Sequence, residues 1–462
     1  MSLCGVKFLA NPTEEQKLVL SQWMGCARFI YNAKCDEDEY YRKFLRSSLA
    51  LTGARVAIDQ SYSQFKSELT PWLADCPSQI LRNSAVRFYQ AYQRLFQGLS
   101  ARPRKKKKGH HDSIWLTREL FKLESFVDEK SKETKYKLFI GTKTNNIGYL
   151  DFYAHRDFFQ PNSITISKKN GNYYVSFSYE DGIENKTQEQ LIEDFSKLDE
   201  TTLINITNGI DRGVIIPVCS STNEQFDFTA EQKKALAKCE LKLVEYQKKL
   251  SRQKIGSNRR NQTKRKIANI YANMANIRRD FAHKTTHKLV NGDSEIFVLE
   301  ELKVKNMTAS VEPKLANDGK TYLPNGASAK AGLNAAILAS CWGLIATFLS
   351  YKALRVNKLV IKVTPYRSSQ ECAKCGHIHP DNRLSQSEFV CKICQYIENA
   401  DLNASQVIAK RGVKLILEFS KSQDVNSESP LAGTREWARR GTVRPKKSSI
   451  SLAARNSASF SS

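Results

Sequence analysis

The sequence predicts a multidomain α+β protein, an expectation that rests on chain length, on changes of hydrophobic period and on cysteine spacing. The chain has 462 residues, of which 41% are hydrophobic, enough for about two to four domains with buried cores. The hydrophobic period changes from helical to alternating and back along the chain. Near the C-terminal end, four of the 11 cysteines stand in two close pairs. An α-helical part, a β-rich part, a mixed part and a small metal site are therefore expected.

The charge of the chain predicts a polyanionic partner. The 72 Lys and Arg residues exceed the 47 Asp and Glu residues, which gives a net charge of +25. Solubility does not need so large an excess, and binding to nucleic acid would weaken steeply as salt rises. Ribosomal and chromatin proteins would show the same excess, so charge alone indicates a class of partner.

The N-terminal 125 residues are expected to be mainly helical. After a short strand at 3–10, Thr13 precedes two acidic residues, which is the pattern of a helix N-cap. Helical apolar spacing then continues to about residue 100. The basic stretch SARPRKKKKGHH at 100–111 is either a solvated linker or a phosphate-contacting loop, and within so basic a chain we favour the loop.

The hydrophobic period becomes alternating over residues 135–180, which predicts a small antiparallel sheet or barrel. Segments such as KYKLFIG and NYYVSFSYE are rich in Tyr, Phe, Ile and Val. Between two of the strands, the Asn-Gly pair of SKKNGNYY is the strongest short-range signal of a hairpin turn.

A second β signal at residues 202–221 opens the mixed part. Two long basic helices are expected at about 230–254 and 258–290, followed by strands at 294–302 and 357–363. The uncharged stretch within 333–354 is nearly long enough to cross a membrane, but it is rich in Ala and contains Ser, Cys and Gly, so we favour a buried helix. A last helix is expected at 401–419, and the Ser-rich basic tail is expected to be disordered.

The four paired cysteines predict a structural zinc ribbon. Cys372, Cys375, Cys391 and Cys394 follow the spacing C-x2-C-x15-C-x2-C, and four thiolates would complete a closed tetrahedral Zn²⁺ site. His377 and His379 are then expected to be surface residues. The other cysteines are scattered, and the N-terminus carries no signal peptide, so we expect a reducing cytoplasm and no disulfide framework.

Three carboxylates stand where a nuclease would need them. Asp211 and Glu300 end predicted strands, and Asp401 opens the last helix. A ribonuclease-H-like fold brings such positions together, where carboxylate oxygens hold two Mg²⁺ or Mn²⁺ ions for phosphodiester hydrolysis. Taken singly, each has an ordinary alternative: Asp211 as a turn residue, Glu301 in place of Glu300, and Asp401 as a helix N-cap.

These motifs together resemble TnpB, the OrfB-type protein of bacterial insertion sequences that is related to the type V CRISPR effectors. The resemblance runs from about residue 3 to 415 and leaves the tail uncovered. The matching segments are GIDRGV (209–214), the basic helix at 256–290, FVLEELKVKNM (297–307), SSQECAKCGH (368–377), FVCKICQ (389–395) and NADLNAS (399–405), with PRKKKKGHHDSIWL (103–116) as a further likeness.

The resemblance implies a RuvC-like (ribonuclease-H-like) α/β nuclease domain with an inserted four-cysteine zinc ribbon, a helical recognition module and a β-barrel wedge. The implied domains are the wedge (1–10 and 126–202), the recognition module (11–125), the nuclease (203–367 and 398–420), the ribbon (368–397) and the tail (421–462).

It further implies an RNA-guided DNA endonuclease of the bacterial cytoplasm, most simply a monomer. A guide RNA from the transposon end would pair with double-stranded target DNA beside a short adjacent motif, without a membrane. Asp211, Glu300 and Asp401 would hold two Mg²⁺ ions. Many members have an aliphatic residue where Arg212 stands. Alternatives are a guided DNA-binding repressor, a CRISPR effector with an array-derived guide and, more weakly, a DNA-joining transposase.

Overall fold

The computed structural model describes residues 3–45, 59–109, 112–127, 134–316, 321–385 and 387–424. The chain divides into two compact units, Met1–Asn185 with Lys233–Asn276 and Lys186–Gln232 with Ile277–Ser462. Residues 425–462 lie outside the described part, so the expected disorder of the tail stays a prediction. Residues 420–424 belong to the last helix.

The first unit combines helices with two antiparallel sheets around one core. Its first two helices are α1 (Glu14–Tyr40) and α2 (Ser78–Phe96), and residues 233–276 add parts of two further helices. Its strands are β1 (Leu3–Ala10), β2 (Asp112–Thr117), β3 (Phe121–Val127), β4 (Thr134–Gly141), β5 (Asn146–Leu150), β6 (Phe152–Tyr153), β7 (Ser163–Lys169) and β8 (Asn172–Glu180). One sheet has the order β2-β7-β8-β1-β6 and the other β3-β4-β5. Residues from both sheets and from α1, among them Phe8, Trp23 and Leu138, share a buried cluster.

The expected hairpin within this unit is present. Strands β7 and β8 pair from Ser163↔Ser178 to Lys169↔Asn172. The two turn residues, Asn170 and Gly171, have φ values of 52° and 86°. Positive φ at both central positions is what a type I′ turn requires, so the Asn-Gly pair fixes the register of this hairpin.

The β-rich part begins earlier than the predicted boundary at residue 126. The segment assigned to the helical module contains strands β2 and β3, at residues 112–117 and 121–127. Strand β2 pairs with β7 along its whole length and buries Ile114 and Leu116. The alternation of apolar and polar residues in this segment is short and lies between charged residues, so it is a weak strand signal. Long-range pairing makes the segment a strand.

The second unit is built on a five-stranded mixed sheet with helices on both faces. Its strands are β9 (Thr207–Asp211), β10 (Val218–Ser220), β11 (Gln225–Phe226), β12 (Ile296–Glu300) and β15 (Leu359–Val363), in the order β11-β10-β9-β12-β15. Strands β9, β12 and β15 run parallel, and β10 and β11 are antiparallel. Phe297 and Leu299 pack in one core cluster, whereas Ile296 and Val298 pack in another. Burial on both faces explains the continuous apolar run of β12.

The remaining elements are helices and two short strand pairs. The helices are α3 (Gln188–Phe195), α4 (Glu200–Ile206), α5 (Ala230–Ser251), α6 (Asn258–Val290), α7 (Val304–Met307), α8 (Ala327–Ala339), α9 (Trp342–Arg355) and α10 (Ala400–Asp424). The short strands are β13 (Lys314–Leu315), β14 (Tyr322–Leu323), β16 (Glu388–Val390) and β17 (Ile397–Asn399). The two long basic helices, α5 and α6, lie where the sequence predicted them.

The β signal at 202–221 is only partly a strand. Residues 200–206 form helix α4, and the strand begins at Thr207. Asp199 caps this helix by accepting a hydrogen bond from the backbone N–H of Thr202, and Leu203 is fully buried. A local cap and one buried contact therefore override the β-branched composition of the segment.

The apolar stretch expected to be one buried helix is two helices, α8 and α9. They are separated at Cys341, whose φ of 63° is left-handed. Together they have the length and composition of a membrane-crossing segment, and 33% of the most apolar window is buried. Core helices of soluble proteins also have this length and composition, so the segment is weak evidence for a membrane span. Ile345 and Leu349 of α9 pack against the sheet in the cluster that contains Phe297 and Leu299.

Candidate active site and zinc ribbon

Asp211 and Glu300 lie at the same edge of the sheet. Each is the last residue of its strand. The two strands are parallel neighbours, with Leu299 opposite Ile210. Because the carboxyl ends of parallel strands meet at one edge, the fold brings these two carboxylates together, at the position where open α/β sheets bind ligands.

Asp401 enters the site from helix α10 and is not the helix cap. The Oδ1 atom of Asn399 accepts hydrogen bonds from the backbone N–H groups of Asp401 at 3.0 Å and Leu402 at 3.2 Å. Asn399 is therefore the N-cap of this helix, a role that the sequence also allowed for Asp401. The carboxylate of Asp401 remains available for other contacts.

A glycine sets the close approach of α10 to the sheet. A Cβ atom at Gly209, two residues before Asp211, would lie 2.0 Å from the carbonyl oxygen of Ser405. A Cβ atom at Gly412 would lie 2.3 Å from a methyl carbon of Val298. Only glycine permits these contacts, so the distance between Asp401 and the strand ends depends on both positions.

The negative charges of the site interact and are poorly hydrated. Burial, followed by the charges of Glu300 and Asp401, raises the pKa of Asp211 to about 7. Burial also raises the pKa of Glu300, against the opposing effects of Ser368 and nearby arginines. The pKa of Asp401 is likewise raised by burial and is opposed by Arg383. A cation would relieve this strain, and hard carboxylate oxygens suit Mg²⁺ or Mn²⁺.

The structure distinguishes Glu300 from its neighbour Glu301. Glu300 is 8% exposed, and its Oε1 atom accepts a hydrogen bond from Ser368 Oγ at 2.5 Å. Glu301 is exposed. The difference in burial and the contact with Ser368 therefore identify Glu300 as the residue that faces the interior.

Two arginines lie in the site to which the sequence analysis gave no site role. Arg212 is 7% exposed and donates to the backbone oxygens of Glu300 and, at 3.3 Å, of Trp342. Arg383, in the loop between the cysteine pairs, places Nη2 3.7 Å from Oδ1 of Asp401. Only Arg212 carried a sequence signal, its position beside Asp211. The approach of Arg383 depends on the path of the ribbon.

The four cysteines converge in two similar turns. All four sulfur atoms lie within 4.8 Å of one another, and the closest pairs are Cys372–Cys394 at 3.6 Å and Cys375–Cys391 at 3.5 Å. In each turn the residue directly after the second cysteine is left-handed: Gly376 and Gln395 have φ values of 76° and 56°. Four sulfur ligands at this spacing suit one tetrahedral Zn²⁺.

The carboxylates are arranged more openly than the cysteines. Among the described residues, the four cysteines are the cluster of His, Cys, Asp and Glu side chains tight enough to share one ion. Asp211, Glu300 and Asp401 do not form such a cluster. His377 and His379 stand outside the cysteine cluster with their rings stacked at 6.0 Å.

The ribbon is attached directly to the helix that carries Asp401. Asn403, which is fully buried, accepts a hydrogen bond from the backbone N–H of Ala373 at 2.9 Å and donates to the oxygen of Glu371 at 2.8 Å. Ala373 lies between the first two cysteines. Arg411, further along the helix, forms an ion pair with Glu371. The first cysteine turn therefore holds α10 close to its beginning.

Comparison with known protein families finds matches in three separate parts of the chain. Three family models match it: an OrfB-type helix-turn-helix domain at residues 1–42, an OrfB-type "Probable transposase" at 183–311, and a "Cas12f1-like, TNB domain" at 342–408. These are models of proteins from insertion sequences and of the CRISPR effectors related to them. In these three segments the chain is similar to TnpB-type proteins, the OrfB proteins of insertion sequences.

Two curated proteins resemble it over most of their length. InsQ of Escherichia coli (strain K12), named as an RNA-guided DNA endonuclease, is 29% identical over 88% of this chain and 91% of its own. A Streptomyces pristinaespiralis protein with the same description is 26% identical over 88% and 89%. Among solved structures, the Cas12f1–sgRNA–target DNA complex has a TM-score of 0.51 at 13% identity, covering 86% of this chain and 83% of that one. At this identity the likeness concerns the fold.

Proposed function

We propose that this protein is an RNA-guided DNA endonuclease of an insertion sequence, which cuts double-stranded DNA in a RuvC-like domain. The observation that carries the proposal is that Asp211 and Glu300 end adjacent parallel strands, while Asp401, in the first turn of a helix, is near enough for its charge to raise the pKa of Asp211. The names of the two full-length relatives support the same activity. The net charge of +25 suits a nucleic-acid partner.

The topology of the second unit supports the RuvC-like assignment. An antiparallel β11-β10-β9 meander continues into two parallel strands, and α10 crosses the sheet at β9. Glycine at position 209 makes this crossing close enough to bring a carboxylate of the helix to the strand ends. In the first unit, the two antiparallel sheets sharing a core are our candidate for the β-barrel wedge.

Asp211, Glu300 and Asp401 would hold two Mg²⁺ ions, or Mn²⁺. When bound, such ions activate water and stabilise the leaving oxygen in phosphodiester hydrolysis. Other residues of the chain orient these carboxylates. Ser368 donates a hydrogen bond to Oε1 of Glu300, and Asn399 caps the first helical turn, which carries Asp401. The four cysteines would hold one structural Zn²⁺, which keeps the ribbon folded and attached to α10.

The proposed partners are a guide RNA from the transposon end and double-stranded target DNA beside a short adjacent motif. Base pairing would read the sequence, and the basic protein would hold the backbones. We place the protein in the bacterial cytoplasm as a monomer. A guided repressor is the second candidate, but a protein that only binds has no need of three buried or half-buried carboxylates with raised pKa values.

One experiment tests the proposal. The protein is purified with its bound RNA, the RNA is sequenced, and matching duplex DNA is incubated with the complex and Mg²⁺. We expect cleavage by the parent and by Glu301→Gln, whose carboxylate is exposed, and at least a 100-fold loss in Asp211→Ala. Guided binding without cleavage would establish the repressor instead. RNA that matches a CRISPR array would identify an array-guided effector.

A further inference from the structure

Two cations line one cleft of the first unit, at positions remote in sequence from the carboxylates. The cleft is formed by α1, α2 and β2, and its lining includes Asn83, Arg87, Lys106 and Ser113. Arg87 comes from α2, and Lys106 from the basic loop after it. Both side chains are partly buried. Each therefore has little access to the water that would normally solvate its charge.

Neither cation has an acidic partner within the described part of the chain. Arg87 donates to two hydroxyl oxygens, Ser113 Oγ at 3.3 Å and Thr165 Oγ1 at 3.1 Å, and its guanidinium carbon lies 5.8 Å from the centre of the Trp115 ring. The Nζ atom of Lys106 lies 3.9 Å from the centre of the Tyr31 ring, a cation–π contact. Neutral oxygens and an aromatic face compensate a positive charge only in part.

The nearby carboxylates are already paired with other cations. Asp112 forms an ion pair with Arg28 at 2.7 Å and also accepts a hydrogen bond from the backbone N–H of Gly109 at 3.0 Å. Asp36 is paired with Lys105, the neighbour of Lys106. The cleft thus holds two more positive charges than its acids balance.

The electrostatic cost of this arrangement is visible in both groups. Burial lowers the pKa of Arg87 to about 10. Burial and then the charge of Arg87 lower the pKa of Lys106 to about 8. Like charges that are desolvated together destabilise a fold unless an anion joins them.

The fold nevertheless holds Lys106 in place by its backbone. Asn32 of α1 donates from Nδ2 to the oxygen of Lys106 at 3.0 Å and accepts from the N–H of Lys106 at 2.7 Å. This reciprocal pair fixes the loop on α1. Lys107 and Lys108, which follow, are exposed, so the loop turns one lysine inward and its neighbours outward.

We propose that Arg87 and Lys106 form a binding site for a single phosphodiester group of a nucleic-acid backbone. A phosphate supplies the one negative charge and the oxygen acceptors that the two cations lack. The cavity that both side chains help to line measures about 10 Å³, room for one water-sized atom. It therefore admits one phosphate oxygen, while the rest of the group stays at its mouth. The proposal rests on the proposed function, which supplies the nucleic acid.

Charge-removing variants with matched controls test this site. Lys106→Met and Arg87→Met remove each charge and keep an aliphatic stem; Lys107→Met and Lys108→Met remove the same charge from exposed positions. Binding of guide RNA, and of target DNA by the RNA complex, is measured from low to high salt. We expect a roughly tenfold weaker affinity for the inward variants. The slope of log affinity against log salt should fall by about 0.7 for a single strand or 0.9 for a duplex.

Backbone substitution identifies the source of the phosphate. Single methylphosphonates are placed along the RNA or the DNA, and one position should weaken the parent but leave Lys106→Met unaffected. Such a position in the RNA or in the DNA supports the site and shows which nucleic acid supplies the phosphate. Arg87→Lys, which keeps the charge, should retain most of the salt slope, and melting curves establish that the variants are folded.

Two results would overturn the proposal. In the first, folded Lys106→Met and Arg87→Met bind both nucleic acids with the affinity and salt slope of the exposed-lysine controls. In the second, inorganic phosphate alone raises the Tm of the parent while no methylphosphonate has an effect, which would make the ligand a free anion. Guided cleavage by the parent in either case would leave the proposed function standing.

Discussion

Gly209 of strand β9 and Ser405 of helix α10 approach so closely that a Cβ atom on the glycine would lie 2.0 Å from the serine's carbonyl oxygen. Gly209 lies two residues before Asp211, and Ser405 lies four residues after Asp401. This backbone contact therefore sets the separation between two carboxylates that belong to different elements.

Gly209→Ala should displace α10 and reduce cleavage. The overlap is with backbone, which cannot rotate away, so we expect a loss of about 1–3 kcal/mol of stability and roughly a 100-fold loss of cleavage from a shift of about 1 Å at Asp401. Denaturant unfolding and single-turnover cleavage measure the two effects. Gly332→Ala is the control, since its Cβ would meet nothing within 4 Å. Equal cleavage by the two variants would contradict the role of the contact.

Arg383→Gln should shift the pH dependence of cleavage upwards. Arg383 opposes the raised pKa values of both Asp401 and Asp211, so its removal should make both carboxylates harder to ionise. We expect slower cleavage near pH 7, partly restored at higher pH. Lys374→Gln, which removes an exposed charge from the same ribbon, should keep the parent's profile. A profile of Arg383→Gln that is merely lower and unshifted would argue against an electrostatic role.

The raised pKa of Asp211 predicts that Mg²⁺ stabilises the protein more at high pH. Its pKa rises from 3.8 to about 7 on folding, so the folded state holds the proton more tightly. Its contribution to stability is therefore most favourable below pH 3.8 and is lost as pH rises through 7. Mg²⁺ binds the ionised form, so its apparent affinity should fall up to about tenfold per pH unit below 7. Tm is measured with and without Mg²⁺ at pH 6 and pH 8.

In this measurement, the Mg²⁺-induced rise in Tm should be small at pH 6 and larger at pH 8. Asp211→Asn should show little rise at either pH, since it removes both the titrating group and one ligand. An equal rise at both pH values in the parent would show that Asp211 does not control ion binding.

Loss of zinc should weaken the nuclease site through Asn403. Cys391→Ser should lower bound zinc to well below one ion per chain, whereas Cys239→Ser, a change outside the cluster, should leave it unchanged. Asn403→Ala should retain zinc, cost about 1–3 kcal/mol because two backbone groups lose their partner, and slow cleavage. Elemental analysis and unfolding separate the two variants. Full cleavage by zinc-depleted Cys391→Ser would show that the ribbon does not position α10.

Much of the candidate site could be predicted from the sequence because the patterns that specify it involve neighbouring residues. Cysteine spacing within 372–394 specified two turns whose sulfur atoms do converge. The positions of Asp211 and Glu300 at strand ends were readable from apolar runs, and the Asn-Gly pair specified its own hairpin. In each case a few neighbouring residues determine the backbone conformation.

Other features were decided only by the tertiary structure, because residues distant in sequence supply the contacts. Pairing with β7 makes 112–117 a strand, and a cap with one buried leucine makes 200–206 a helix. The choice between Glu300 and Glu301 required the contact with Ser368, 68 positions away. The fold of the ribbon brings Arg383 to Asp401, and the contacts of Asn32 hold Lys106 in the cleft that Arg87 also lines. Sequence alone thus determined which residues could carry charge and metal, and packing determined which of them meet.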